Sequence, residues 1–281
     1  MKIDGVVVLY QPSQENIRHI CEYAEVLNVL YVVDNSDLVK HELLRPLMEM
    51  QNVKYISMNG NQGIAAALRK GLDRAIAEEA DFCLTMDQDS IFPLQAMPEI
   101  VRHLSKPDID DYGIVAISTG MVYEGNELVE VAEVITSGNF INIKNYKMIA
   151  GFRTELFIDS VDFDICHQFY MAKKKIAYFP QIVMEHKIGR PKKKKCLFRT
   201  ITVTNHSPIR IYYRFRNNYV LYHEDKRFYR KIYFGDFKQK IKIILFESEK
   251  REKLKMIRLG IKHAKQGKLG KLDLNLEQRE E

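Results

Sequence analysis

The sequence predicts an α/β fold: a mostly parallel central sheet with helices on both faces, followed by a basic helical C-terminal region. Three observations predict it. Short runs rich in β-branched and aromatic residues alternate with stretches of helical spacing from the N-terminus to Asp87. Each of those runs ends in a cluster of polar and turn residues. Lysine and arginine then gather in the last third, so that the 281-residue chain carries a formal net charge of +6 and a pI near 8.9.

In chain order, "DGVVVLY" (4–10) reads as the first strand, and Ser13 can cap a helix running to about Glu25. "VLYVVDNS" (29–36) is the second strand, 38–50 repeats apolar residues at helical intervals, and "VKYISMN" (53–59) is the third strand. An Ala- and Leu-rich helix over 64–79 leads into "DFCLTMD" (81–87). This βαβαβαβ order requires crossover helices, hence a parallel sheet covered on both faces. "YGIVAISTGMVY" and "EVAEVITSGNFINI", within 113–150, read as short strands extending the sheet. From Leu156, "LFIDSVDFDICHQFYMAKK" reads as a helix whose apolar face is interrupted by Asp159, Asp162 and Asp164. "AYFPQIVMEH" is strand-like and ends at His186, and "RPKKKK" (190–195) reads as a mobile basic loop. An aromatic helix over 207–222 should pack on the sheet. After Tyr229, Lys and Arg interleave with Ile, Leu, Phe and Met through Gly267, a pattern that suits amphipathic helices on an anionic bilayer or helices packed on the domain. The acidic tail after Leu272 is expected to fray.

With 46% hydrophobic and 28% charged residues, the chain can bury a core, which excludes a disordered polymer. Cys21, Cys83, Cys166 and Cys196 lie far apart without a C-x-x-C pair, as reduced thiols of a cytosolic protein would. The five-residue apolar run after Gly5 is too short for a signal peptide, and no run elsewhere could span a bilayer. The expected location is the cytoplasm, with peripheral contact to the inner face of the plasma membrane.

In an open parallel sheet, ligands collect at the carboxyl ends of the strands. Here "YQPS", "DNSD", "NGNQG" and "DQDS" follow the first four strands and describe a continuous polar rim. Asp87 and Asp89 are two apart, so in extended chain both carboxylates face the same way, and paired hard oxygens suit Mg²⁺ or Mn²⁺ carrying a diphosphate. A capping turn is the plain alternative. Asp34 can accept from the imide N–H of uracil or thymine, or can serve turn chemistry alone. Asn61 and Gly63 form a tight turn whose amides could approach a nucleotide, and Tyr10 stands at the donor end of the first strand.

The series "VVVLYQP", "VVDNSD", "NQGIAAALRKGL", "TMDQDS", "GFRTELFIDSVDFDICHQF", "HKIG" and "RIYYRFRNN" resembles the family 2 glycosyltransferases, in particular a bacterial rhamnosyltransferase-type branch, over roughly residues 3–222. The resemblance implies a GT-A (Rossmann-like) fold, a nucleotide-sugar donor, a divalent cation and transfer with inversion. It maps the metal-binding D-x-D onto Asp87 and Asp89, the base-contacting acid onto Asp34, and the general base onto Asp162, with Asp164 as its structural or acceptor-binding companion. It brings His186 toward the metal or diphosphate, where a surface or core role is otherwise the plainer reading. It puts Asn139 near the acceptor, although Ser137 to Asn139 also reads as an ordinary turn. Arg216 and Asn217 match a recurrent Arg-Asn pair that contacts donor phosphates or acceptor, or else forms a salt bridge. Departures include "LYQP" for the commoner Thr-Tyr-Asn-Pro, His167 and Gln168 for Leu-Arg, and Arg69 where Asn is frequent.

The expected organisation is a catalytic domain over 1–222, with a nucleotide-sugar half (1–90) and an acceptor half (91–222), and a basic amphipathic region over 223–281. The expected reaction moves a sugar, L-rhamnose from dTDP-rhamnose being the first candidate, to a lipid-linked or polysaccharide acceptor. A UDP-hexose-dependent enzyme of the same fold is the nearest alternative. A nucleotidyltransferase is disfavoured because "YQPSQEN" lacks a Gly-rich basic loop. A nucleic-acid-binding protein would explain the basic third but not the acidic rim, since carboxylates repel phosphates unless a cation intervenes.

Overall fold

The computed structural model describes residues 1–186, 192–196, 199–203 and 205–273, giving the backbone alone for His186 and for the two segments between 192 and 203. It forms two compact units. Met1–Thr154 and Val161–His186 make the first; Glu155–Ser160 and Lys187–Glu281 make the second.

The first unit begins as the apolar alternation requires, with β1 (Ile3–Leu9), α1 (Gln14–Ala24), β2 (Leu30–Asp34), α2 (His41–Met48), β3 (Val53–Ser57), α3 (Ile64–Ala77) and β4 (Phe82–Asp87). It continues through β5 (Ser90–Ile91), α4 (Met97–Leu104), β6 (Tyr112–Ser118), β7 (Val129–Glu130), β8 (Asn139–Asn142), the single turn α5 (Ile143–Tyr146), α6 (Val161–Met171), β9 (Lys175–Val183) and β10 (Glu185–His186). Ser13 caps α1 reciprocally with Asn16, as its position before the apolar repeat suggests. One eight-stranded sheet has the order β3-β2-β1-β4-β8-β6-β9-β7. β1 to β4 run parallel, and β8 enters antiparallel between β4 and β6. Because side chains alternate along a strand, Val7, Leu9, Leu84 and Met86 face a core shared with Ile17, Ile20, Leu44, Leu47, Ile100 and Leu104 from α1, α2 and α4. Val6 faces the other way against Gly71 of α3, where an added Cβ would meet the valine methyl at 2.5 Å. The short side chain is what lets α3 lie this close to β1.

The second unit contains the hairpin β11 (Lys192–Cys196) and β12 (Arg199–Val203), then α7 (Pro208–Glu224), α8 (Arg230–Phe246) and α9 (Lys250–Lys265). Ile211 and Phe215 of α7, Ile243 of α8 and Ile257 of α9 share one apolar cluster. Gly260 allows close approach of α9 to α7, since a Cβ there would stand 2.7 Å from the Tyr212 carbonyl oxygen. Lys253 and Glu247 form a fully buried ion pair at 2.8 Å, completed by Asn205 on the lysine and Gln239 on the carboxylate.

Two sequence expectations are corrected here. The basic run does not remain a loop: Lys192–Cys196 pairs antiparallel with Arg199–Val203, while residues 187–191 lie outside the described residues. No helix starts at Leu156. Phe157, Asp159 and Ser160 all have positive φ, and α6 begins only at Val161, which leaves Asp159 outside it. Within the second compact unit, α7 shares its core with α8 and α9 and is joined by the Glu155–Ser160 turn. The tail from 274 lies outside the described residues.

Candidate active site

The polar rim is one hydrogen-bonded chain along the carboxyl ends of β1, β2 and β3. Tyr10, exposed just beyond β1, donates its hydroxyl to Asp37 at 3.2 Å, and burial followed by the Asp37 carboxylate raises the phenol's pKa. Asp37 also accepts from the Asn61 amide at 3.1 Å. Asn35 donates to the Asn61 side chain at 3.2 Å and accepts from the Gln62 amide at 2.7 Å. Asn61 in turn accepts from the Gly63 amide at 3.0 Å. Gly63 has φ 89°, a left-handed conformation that glycine adopts without strain, and it starts α3 there.

Asp34 lies at the floor of this rim, 1% exposed. Its carboxylate accepts from the Ser36 amide at 2.9 Å and from the Tyr55 hydroxyl at 3.0 Å. Burial, and then the neighbouring carboxylate, push the Tyr55 hydroxyl up to about 12, so it stays a proton donor to Asp34 at neutral pH. The turn chemistry expected of "DNSD" is therefore present. A carboxylate has about four lone-pair sites, so two hydrogen bonds leave capacity for a third donor.

At the other end of the rim, Asp87 closes β4, and Gln88 and Asp89 form the turn into β5. Asp89 is thus in a turn and not in extended chain, which corrects the alternation argument for the pair. Both acids are partly exposed. Their backbone is fixed by side chains from elsewhere. The Asp87 amide donates to Ser137 Oγ at 3.0 Å, and Ser137 also bonds Ser90 Oγ at 2.8 Å. Gln88 accepts from the Tyr10 amide at 2.9 Å and donates to the Tyr10 carbonyl at 3.1 Å, tying the D-x-D turn to the end of β1. β10 then pairs with β5, so that the His186 backbone lies opposite Ser90, one residue from Asp89. The three expected metal ligands are brought together at the level of the backbone, while the His186 side chain lies outside what is described. Among the described residues, no group of three or more His, Cys, Asp or Glu side chains is arranged to hold a metal ion.

The remaining candidates lie on other elements. Asp162 is the second residue of α6, partly exposed, with Oδ1 accepting from the Phe163 amide at 3.0 Å. An acid in the first turn of a helix also complements its dipole. Asp164 is buried and accepts from Arg153 at 3.4 Å and from Gln168 at 2.7 Å. Those two bonds suit the structural half of its expectation. Asn139 is also buried, opening β8 beside Thr85 and Ala116. Arg216 lies in the second unit. It is 1% exposed, donates to the carbonyls of Gly270, Glu155 and Leu156, and stacks over Tyr212 and Tyr213. Its guanidinium organises the Glu155–Ser160 turn, and Asn217 completes that task by donating to Leu156, Ile158 and Asp159 carbonyls at 2.9 Å each. Sequence reasoning missed Gln88, Tyr55 and Asp37, and it read Ser137 only as part of a turn near the sugar. Gln88 was in plain view inside "DQDS", but only the carboxylates flanking it carried an obvious chemistry.

Residues 13–178 match the family described as Glycosyl transferase family 2. A dTDP-rhamnosyl transferase, RfbF of Shigella flexneri, is 27% identical over 239 residues, covering 78% of this chain and 79% of that protein. Among solved structures, residues 1–349 of S. aureus TarS superimpose with a TM-score of 0.55 and 13% identity, covering 95% of this chain and 92% of that one. A longer TarS structure gives 0.49 and 14% identity over 94% of this chain and 43% of that one. At such identity, the shorter TarS structure supports the fold: a large, mostly parallel sheet flanked by helices, as in GT-A proteins.

Proposed function

Because the chain belongs to glycosyl transferase family 2, we propose that it is an inverting, metal-dependent glycosyltransferase that moves L-rhamnose from dTDP-rhamnose to a lipid-linked or polysaccharide acceptor in bacterial cell-surface glycan synthesis. The observation that carries this reading is the continuous rim from Asp34 to the D-x-D turn. It sets an acceptor-only carboxylate at one end and a pair of hard-oxygen donors at the other, with main-chain amides between them. A nucleoside diphosphate has the matching order of groups, with a base N–H donor, a ribose and a charged diphosphate.

In this reading Asp34 accepts from the imide of the thymine, and Asn61 and Gly63 shape the loop beside the nucleoside. Asp87 and Asp89, with His186 as a third candidate, would hold Mg²⁺ or Mn²⁺. Partly exposed carboxylates on a braced turn fit a hard cation that takes its other ligands from diphosphate and water. When bound, the ion offsets the charge of the leaving diphosphate. The acceptor hydroxyl oxygen attacks the anomeric carbon, the bond from that carbon to the diphosphate oxygen breaks, and the hydroxyl proton passes to the Asp162 carboxylate. Attack opposite the leaving group inverts the centre.

The test incubates purified protein and Mn²⁺ with a panel of dTDP- and UDP-sugars and measures nucleoside diphosphate release. dTDP-rhamnose is expected to give the fastest release. A preference for a UDP-hexose would keep the fold and the site but replace the donor, which is the second reading the rim allows, since uracil presents the same imide as thymine.

A further inference from the structure

We infer that α8 docks the protein on an anionic lipid surface through an outward apolar stripe, and that α9, more basic in sequence, does not. The two helices follow one another in the second unit and both interleave lysine with aliphatic residues. In α9 the apolar residues turn inward: Ile257 is buried, Leu254, Met256, Leu259 and Ile261 are at most partly exposed, and none stands free on the surface. α8 carries two apolar or packing faces instead of one. Asp236, Gln239 and Ile243 are buried. Phe234, Phe237, Ile241, Ile244 and Leu245 are exposed, Phe237 at 67% and Leu245 at 57%.

With 3.6 residues per turn, those five exposed side chains fall within an arc of about 100° on the side away from the buried face. A helix already anchored on one side has no need of that second stripe for folding. The basic residues frame it. Lys231, Lys238 and Lys242 project to one flank of the stripe, Lys240 to the other, and Arg230 lies at its start. The one acid of α8, Asp236, is on the buried face, where it accepts from Arg214 and Asn218 at 2.9 Å. The exposed part of the helix is therefore purely apolar and cationic.

Charge complementarity selects the occupant. A second copy laid stripe to stripe would set lysine against lysine, whereas anionic headgroups match both flanks while the aromatic and aliphatic side chains enter the headgroup boundary. No described helix is long and apolar enough to cross a membrane, so the contact is one of lying on the surface. This inference goes beyond the transfer reading and does not depend on donor or acceptor, because binding is measured without either.

The experiment sediments the full chain with vesicles of equimolar phosphatidylglycerol and phosphatidylcholine, and with phosphatidylcholine alone. Binding is expected to the anionic vesicles, to weaken as salt rises, and to fall at least about tenfold in the double variant Phe237→Ser/Leu245→Ser. Met121→Ser/Val122→Ser removes comparably exposed apolar side chains from the first unit and is expected to leave binding unchanged. Circular dichroism and thermal unfolding of each variant establish that it is folded. Equal pelleting by wild type and the α8 variant, or no pelleting at all, overturns the inference. So does a concentration-dependent dimer, seen by sedimentation velocity without lipid, that the α8 substitutions dissolve while vesicle binding persists.

Discussion

Three D-x-D sequences lie in the first unit, beginning at Asp87, Asp108 and Asp162, and the first and last of them are put to different uses. Asp87-Gln88-Asp89 sits at the carboxyl end of a parallel strand, where Ser137 and Gln88 brace the backbone by bonds that do not involve the carboxylates. Asp162-Phe163-Asp164 sits in the first turn of α6, where the second acid is buried against Arg153 and Gln168 and only the first stays partly exposed. The spacing is the same, but on a helix residues two apart point to different sides, whereas a strand-end turn has no interior side of its own. The lesson is that a short acidic motif acquires its meaning from the element beneath it. One motif presents a pair of acids, the other a single acid with a structural companion.

The largest effects should separate the two members of the α6 motif. Asp162→Asn is expected to lower sugar transfer by about 10² to 10⁴ while donor affinity holds, because a general base is needed only as the acceptor hydroxyl becomes a nucleophile. Its stability should change by less than about 1 kcal/mol, the scale of one acid at a helix start. Asp164→Ala should do the reverse, costing about 2–4 kcal/mol by leaving buried partners unmatched. Product formation with the true acceptor and urea unfolding read the two quantities. Asp159→Asn is the control for transfer, since Asp159 lies in the second unit and is paired with Arg210 at 2.5 Å. If Asp162→Asn transfers at the normal rate, the first turn of α6 is a helix cap and nothing more.

Asp89→Asn addresses the other motif. The amide keeps the shape but gives up the charge, so Mn²⁺-dependent donor affinity should fall by about a hundredfold or more, with little change in stability because the side chain is partly exposed. Calorimetry with dTDP-rhamnose, with and without Mn²⁺, measures it. Unchanged affinity would place the cation elsewhere, and the contrast between the motifs would lose its functional half.

Much of this was legible in the sequence. The strands from β1 to β4 and the helices between them follow from period-2 and period-3.6 patterns, because each buries one face against the same core. The rim followed from topology, since strand ends are where turn residues gather. What stayed hidden depends on contacts distant in sequence. Nothing local reveals that the Arg216 guanidinium meets carbonyls of residues 155, 156 and 270. The start of α6 was misplaced because Phe157, Asp159 and Ser160 adopt left-handed backbone, which neither type nor pattern advertises. The lysine run pairs as a strand although lysine is a weak strand former, its register set by the strand that follows it.

Ser137→Ala tests whether the D-x-D turn is held from behind. Ser137 is fully buried, and its hydroxyl serves both the Asp87 amide and Ser90 Oγ. Removing it takes the hydroxyl away from the part-buried Asp87 amide, at a cost of about 1 kcal/mol in stability. Donor affinity in Mn²⁺ should fall about tenfold, because the acids lose their fixed separation without losing their charge. A stability loss with normal metal-dependent affinity would make Ser137 a core residue only.

The smallest effect belongs to Gln88, and it sharpens the comparison most finely because the residue lies between the acids yet bonds away from them. Its amide exchanges two hydrogen bonds with the Tyr10 backbone, one accepted and one donated. The substitution Gln88→Glu keeps the acceptor for the Tyr10 amide and gives up the donor to the Tyr10 carbonyl; Gln88→Ala gives up both. The clamp is partly exposed, so each lost bond is worth about 0.5–1 kcal/mol, and water replaces some of it. If the clamp positions the turn, donor KM should rise about two- to fivefold in Gln88→Ala, with kcat and the Mn²⁺ requirement nearly unchanged. Gln88→Glu should differ from it in a second way: an added carboxylate between Asp87 and Asp89 should tighten Mn²⁺ while repelling the donor diphosphate, so the metal and donor affinities should move in opposite directions. If both variants match the wild type in KM and in Mn²⁺ dependence, the turn is rigid without its tie to β1, and Ser137 alone holds the acids in place.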